Sequence, residues 1–137
     1  MADRPLRILL ADDNPIVRKV TLTVLERYGY EAEAVCDGVE ALEAVEQEHY
    51  DVVLMDIQMP NKDGLEATRD IRRTIPRERQ PLIIGITASI TTEICDACFD
   101  AGMDDYLTKP FRPEELAMAI ERTEGDQARA SDGSEPG

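Results

Sequence analysis

Five residues able to handle a charged group stand at the ends of short apolar runs. Asp12 and Asp13 follow residues 6–11, Asp56 follows 52–55, Thr87 closes 82–87 and Lys109 closes 105–109. If those runs are strands of one open α/β sheet, their ends share the rim where such sheets bind ligands. Three converging carboxylates repel one another and need a cation or raised pKa values. A donor set made of oxygen alone suits Mg²⁺, a hard cation that keeps several waters and takes one or two carboxylates, with Mn²⁺ as the alternative. Lys109 offers the compact positive charge used against phosphate, and Thr87 a hydroxyl. A carboxylate nucleophile, a divalent metal, a lysine and a hydroxyl form a phosphoryl-transfer set. Taken by itself, Asp56 reads equally well as a cap or turn residue leaving a strand.

The elements that must position these groups are legible from periodicity. Residues 52–55 are Val-Val-Leu-Met, with neither alternation nor helical period, which suits a central strand buried on both faces. Residues 6–11 and 82–87 have the same character. Residues 30–35 alternate Glu31-Ala32-Glu33-Ala34, and outward glutamates suit an edge strand. A short fifth strand covers 105–109.

Between the strands the period changes to that of helices. Asn14 and Pro15 open a first helix with Val17, Val20, Thr21, Val24, Leu25 and Tyr28 on one face, closed by Gly29. Asp37-Gly38 opens a second, with Ala41, Leu42 and Val45 inward. The third runs from Gly64 with Leu65, Thr68, Ile71 and Ile75, and Pro76 stops it. The fourth holds Ile94, Cys95 and Cys98 and ends at Ala101-Gly102. Pro113 opens the fifth, with Leu116, Ala117 and Ile120 inward. Strands alternating with helices predict a three-layer, flavodoxin-like (βα)5 α/β domain over residues 1–122. Right-handed crossovers and the charged second strand favour a parallel sheet of order 2-1-3-4-5. Residues 123–137 are too poor in apolar side chains to offset the entropy of ordering, and read as a disordered tail or linker.

Composition excludes several functions. The formal charge is −14, from 29 acidic against 15 basic residues, so the basic footprint of a nucleic-acid binder is missing. No apolar run approaches the roughly 20 residues of a membrane span. Residues 1–7 are too short and polar for a signal peptide, which makes the cytoplasm the expected compartment. Cys36, Cys95 and Cys98 are an odd count and a poor disulfide framework. Cys95-x-x-Cys98 has no second pair, and the single histidine, His49, is distant, so buried core thiols are the better interpretation. His49 reads as a surface residue, and Arg69, Arg72 and Arg73 as the solvated face of the third helix.

Taken in order, Asp12-Asp13-Asn14, Met55-Asp56-Ile57-Gln58-Met59-Pro60 with Asp63-Gly64, Thr87-Ala88 and Lys109-Pro110 resemble the motifs of response-regulator receiver domains of two-component signalling. The resemblance covers residues 6–122. It implies that Asp56 is the phosphoacceptor, that Asp13, Asp56 and the Gln58 backbone carbonyl bind Mg²⁺ directly, and that Asp12 acts through a bound water. It implies further that Lys109 pairs with one phosphoryl oxygen and Thr87 donates to another. Tyr106 falls at the switch aromatic, and the Lys109-Pro110 bond is expected cis. The donor would be a phosphohistidine on a histidine kinase or histidine phosphotransfer domain. The protein would then catalyse its own phosphorylation and dephosphorylation, switching the face of helix four, strand five and helix five, with no kinase catalytic domain in this chain. The wording around Gly64 and Ala101 looks most like receivers of hybrid sensor histidine kinases, with a free-standing single-domain regulator as the alternative.

Two other classes fit less well. Haloacid-dehalogenase-like phosphatases, which also form an aspartyl phosphate, carry a second Asp two residues after the nucleophile, where this chain has Gln58. A nucleotide or flavin binder would want a Gly-rich loop after strand one, where Asp12-Asp13-Asn14-Pro15 repels phosphate unless a metal intervenes.

Overall fold

The structure, a computed structural model, describes residues 6–59, 61–88 and 90–131, with 124–131 as backbone only. Five strands, β1 (Arg7–Ala11), β2 (Glu31–Val35), β3 (Val52–Asp56), β4 (Leu82–Thr87) and β5 (Asp105–Thr108), form one parallel sheet of order β2-β1-β3-β4-β5. The helices are α1 (Pro15–Arg27), α2 (Gly38–Gln47), α3 (Gly64–Thr74), α4 (Thr92–Ala101) and α5 (Pro113–Ser131), with a 3-10 turn at Arg77–Arg79. The architecture is the one expected. Register pairs Ala11 with Met55, Asp56 with Ile86 and Thr87 with Thr108, which brings the carboxyl ends of four strands to one rim.

The missing alternation in β1 and β3 has a direct cause. Leu9, Ala11, Val53 and Met55 enter a core layer with Ala41, Val45 and Ile71. Their neighbours Ile8, Leu10, Val52 and Leu54 enter the opposite layer with Leu25, Leu116 and Ile120. Side chains alternate between faces as in any strand, but both faces are dry, so each of these eight positions is apolar. In β2, Glu31 and Glu33 are exposed as an edge strand requires. Gly85 in β4 is there for space: a Cβ would lie 2.5 Å from Met103 Sδ, which follows α4.

Side-chain caps start the helices. Asn14 Oδ1 accepts from Ile16 N at 2.9 Å and Val17 N at 3.1 Å, and Asp63 Oδ1 from Glu66 N at 2.9 Å. Asp37 Oδ1 accepts from Glu40 N at 2.9 Å, and this bond, followed by one from the Asn61 amide, holds the Asp37 carboxyl below its usual range. A lowered carboxyl stabilises the fold above its unfolded value, about 3.9, and that contribution is lost as pH falls through the folded value. Asp37→Ala should therefore cost about 1 kcal/mol at neutral pH, with the deficit shrinking on acidification, as urea unfolding across a pH series would show.

Four expectations need revision. Val20 and Tyr28 do not join the core: they are 58% and 47% exposed, and with Ile16 at 75% they widen the apolar stripe of α1 into solvent. Arg72 is not on a solvated face, although Arg69 and Arg73 are exposed. Its guanidinium donates to Gly102 O, Gln80 Oε1, Pro81 O and Asp104 Oδ2 at 2.7–2.8 Å, tying α3 to the segments that enter β4 and β5, at the opposite edge from the carboxylates. Of the cysteine pair, Cys98 is buried but Cys95 only half-buried. Finally, α5 runs past Arg122 to Ser131, where a tail was expected; the rest of that stretch lies outside the described residues. Extending an existing helix adds one hydrogen bond per residue without a new nucleus, so Glu, Gln, Ala and Arg can continue it without apolar contacts. His49 is exposed, near Asp51, as anticipated. Among the described residues no helix is long and apolar enough to cross a membrane.

Candidate functional site

Each carboxylate at the rim is held by its own strand end. Asp12, 1% exposed, follows β1; its N–H bonds to Val35 O at 3.2 Å and its Oδ1 accepts from Asn14 N at 2.9 Å. Arg18 Nη1 donates to the Asp12 carbonyl at 2.9 Å, which ties the turn to α1. Asp13 is exposed beside it. Asp56, 4% exposed, is the last residue of β3, and its Oδ1 accepts from Gln58 N at 3.1 Å. One oxygen from each of Asp12, Asp13 and Asp56 can be chosen so that all lie within 4.8 Å of one another.

Among the described residues one ammonium faces this cluster. Lys109 Nζ donates to Asp56 Oδ2 at 2.8 Å and lies 3.7 Å from Asp12 Oδ2. Its backbone N–H bonds to Thr87 O at 2.8 Å, and the Lys109-Pro110 bond is cis as expected. Burial pushes the Asp56 carboxyl above its usual range; Lys109 opposes that, and the Asp12 charge adds to it. Burial pulls Lys109 down, but the hydrogen bond and charge of Asp56, then the charges of Asp12 and Asp13, hold it above its ordinary value. Three carboxylates against one ammonium leave two negative charges uncompensated. An all-oxygen donor set with that deficit fits a hard divalent cation.

Thr87, 7% exposed, occupies the end of β4. Tyr106 lies on the α4 side of β5, where its ring meets Phe99 edge-on with centroids 5.9 Å apart. Sequence reasoning missed how closely the site is framed by glycine. A Cβ on Gly64 would fall 2.3 Å from Asp56 O, so only glycine lets α3 begin against the end of β3. The Asp63-Gly64 pair marks the start of the third helix and belongs to the motif set, but neither reading requires so close an approach of the two backbones.

The geometry has matched counterparts. The family profile described as the response regulator receiver domain covers residues 8–121. The chain belongs to the response-regulator receiver domain family. It is 43% identical over 125 residues to histidine protein kinase 1 of Candida albicans, matching 85% of this chain and 5% of that protein. To hybrid signal transduction histidine kinase K of Dictyostelium discoideum it is 38% identical over 121 residues, covering 84% of this chain and 10% of that protein. The chain thus spans a small part of the curated relatives it matches, several of which, all from Dictyostelium discoideum, are named hybrid signal transduction histidine kinases, in agreement with the resemblance expected. Among solved structures, the receiver domain of sensor histidine kinase PA1611 from Pseudomonas aeruginosa PAO1 superposes with a TM-score of 0.80 at 39% identity. The match covers 88% of this chain and 98% of that chain, whose crystal holds a magnesium ion coordinated in the active-site cleft.

Proposed function

We propose that this receiver domain accepts a phosphoryl group on Asp56 from a phosphohistidine of a histidine kinase or histidine phosphotransfer partner, as the receiver segment of a hybrid histidine kinase. The observation that carries this is the Asp12–Asp13–Asp56 cluster with Lys109 Nζ 2.8 Å from Asp56 Oδ2. Asp12, Asp13, Asp56 and the Gln58 carbonyl would hold Mg²⁺, which supplies positive charge to the oxygens of the transferring group. Mn²⁺ shares the preference for hard oxygen ligands and is expected to substitute.

The protein's own contribution is positioning. An oxygen of Asp56 attacks phosphorus, the P–N bond to the donor imidazole breaks, and the released nitrogen keeps the electron pair and takes a proton from solvent. Burial at the end of a rigid strand fixes Asp56 for in-line approach. Lys109 exchanges its Asp56 oxygen for a phosphoryl oxygen, so charge stabilisation is in place before the reaction starts. Thr87, beside Lys109 at the next strand end, supplies a hydroxyl to another. Water attacking the acyl phosphate would break the new P–O bond and return Asp56, making the signal self-limiting. Movement of Thr87 toward the phosphoryl group and of Tyr106 away from α4 would alter the face formed by α4, β5 and α5.

The exposed residues of α1 suit the donor. Ile16 and Val20 line a groove of about 300 Å³ with Val17, Lys109, Pro110 and Phe111. An apolar helix face of the phosphohistidine protein would dock there next to the acceptor. Ile16→Glu should slow transfer from a phosphohistidine protein about ten-fold or more, since one desolvated charge costs over 1.4 kcal/mol, and leave labelling by acetyl phosphate unchanged. The function itself is tested by incubation with acetyl phosphate and Mg²⁺, read by intact mass. A gain of one phosphate that disappears with EDTA is expected, and no gain would overturn the proposal.

A further inference from the structure

The segment leaving Asp56 is anchored at two places, and one anchor lies on an element that gives the site no ligand. Near Asp56, Gln58 N donates to its Oδ1 at 3.1 Å and Ile57 N to Ile86 O at 2.9 Å, while Gly64 N returns to Ile57 O at 2.9 Å. The second anchor is the start of α2. Asn61 Nδ2 donates to Asp37 Oδ2 at 2.6 Å, and Gly38 N donates to Lys62 O at 3.0 Å. A Cβ on Gly38 would lie 2.2 Å from Lys62 O, so the two backbones are in direct contact and nothing but glycine fits. Asn61 has φ of 67°, in the left-handed region that asparagine tolerates better than most residues. Asp37 is 9% exposed, and its other oxygen is engaged with Glu40 N at 2.9 Å. One carboxylate therefore caps α2 and grips the segment that carries Gln58.

We propose that Asp37 and Asn61 are positioning residues for the cation site, their hydrogen bond setting where Gln58 presents its backbone carbonyl. The inference rests on the Mg²⁺ site proposed above. Neither residue belongs to the carboxylate cluster, and the bond spans two loops that share no other side-chain hydrogen bond among those described. Without it, the chain between Gln58 and Gly64 would have to be ordered at each binding event, and that cost falls on affinity. Partners that orient ligands from behind are worth about 10- to 100-fold in metal affinity. Asn61 itself is exposed, so deleting its amide removes little that the core depends on.

The test is calorimetric titration of MgCl₂ into the purified protein, paired with melting in EDTA. Asn61→Gly can keep the left-handed backbone and removes the side chain that donates to Asp37, and a reversed pair separates the loss of that bond from the added backbone freedom of glycine. The reversed pair, Asp37→Asn with Asn61→Asp, keeps the net charge, keeps a good cap at position 37, and rebuilds the hydrogen bond with donor and acceptor exchanged. The dissociation constant should rise about ten-fold in Asn61→Gly and return to within about two-fold of wild type in the reversed pair. The EDTA melting temperature should move little in either. An unchanged dissociation constant in Asn61→Gly, or a reversed pair as weak as the single variant, would overturn the inference while wild-type binding still supports the Mg²⁺ site. A wild-type protein that takes up no Mg²⁺ would remove both.

Discussion

Asp56→Asn is expected to abolish phosphate uptake from acetyl phosphate and, in the same protein, to raise the melting temperature measured in EDTA. The first effect follows from chemistry: an amide oxygen cannot form the acyl phosphate, and Asp12 and Asp13 are held by different turns. The second follows from electrostatics. Two buried carboxylates, 1% and 4% exposed, share one ammonium that sits 2.8 Å from one and 3.7 Å from the other. Burial, aided by the charge of Asp12, holds the Asp56 carboxyl above its usual range. A carboxyl raised on folding contributes stability below its unfolded value, about 3.9, and loses it as pH rises through the folded value. At neutral pH the wild type therefore bears a cost that the isosteric amide avoids. The advantage of Asp56→Asn should fade as the pH approaches 4 and as Mg²⁺ is added. Function and stability would then move in opposite directions at one residue, as expected where a site stores unfavourable charge for its ligand.

Lys109→Ala should move stability the other way and lower activity as well. Removing the ammonium leaves Asp12 and Asp56 buried without a counter-charge. Breaking a fully buried pair costs 3–5 kcal/mol, but Lys109 keeps 28% of its side-chain exposure, and water screening reduces the expected loss to about 2 kcal/mol. Phosphate uptake should fall about 100-fold, the usual loss for one preorganised charge donor at a transition state. The two effects separate on addition of metal. Mg²⁺ replaces much of the missing charge, so at a fixed concentration it should raise the melting temperature more in Lys109→Ala than in wild type, while the slow transfer persists. Equal shifts in the two proteins would mean that the lysine and the cation do not share a site.

How much of this was legible in the sequence depends on how far each cause reaches along the chain. Strand burial is local: four apolar residues without alternation, ending in Asp56, suit a dry central strand, and the two core layers on either side account for each of them. The edge strand announced itself through Glu31 and Glu33 for the same reason. Arg72 could not be read this way. Its acceptors, Gly102 O, Gln80 Oε1, Pro81 O and Asp104 Oδ2, lie 8 to 32 residues away, and a charged residue between Arg69 and Arg73 gives no local sign of burial. Val20 and Tyr28 show the complementary failure. Helical spacing tells which residues share a face of α1, not how wide a strip the sheet covers, and Val20 is left to line the groove beside Lys109 with Ile16. The extension of α5 to Ser131 was hidden because hydrophobicity reports on packing, while continuing a helix needs only permissive residues. At the site, residue types and strand ends placed Asp12, Asp13, Asp56 and Lys109 together. The brace from Asp37 to Asn61 joins two loops and had no signature in either.

Phosphate on Asp56 is the central claim, and reductive trapping tests it most directly. The protein is labelled with Mg²⁺ and a phosphohistidine donor, treated at once with borohydride, and digested for tandem mass spectrometry. Borohydride reduces an aspartyl phosphate to homoserine, so the modified position is recorded in the peptide. The structure predicts homoserine at position 56 alone, dependent on Mg²⁺. Homoserine at position 12 or 13, or label that resists borohydride, would contradict it.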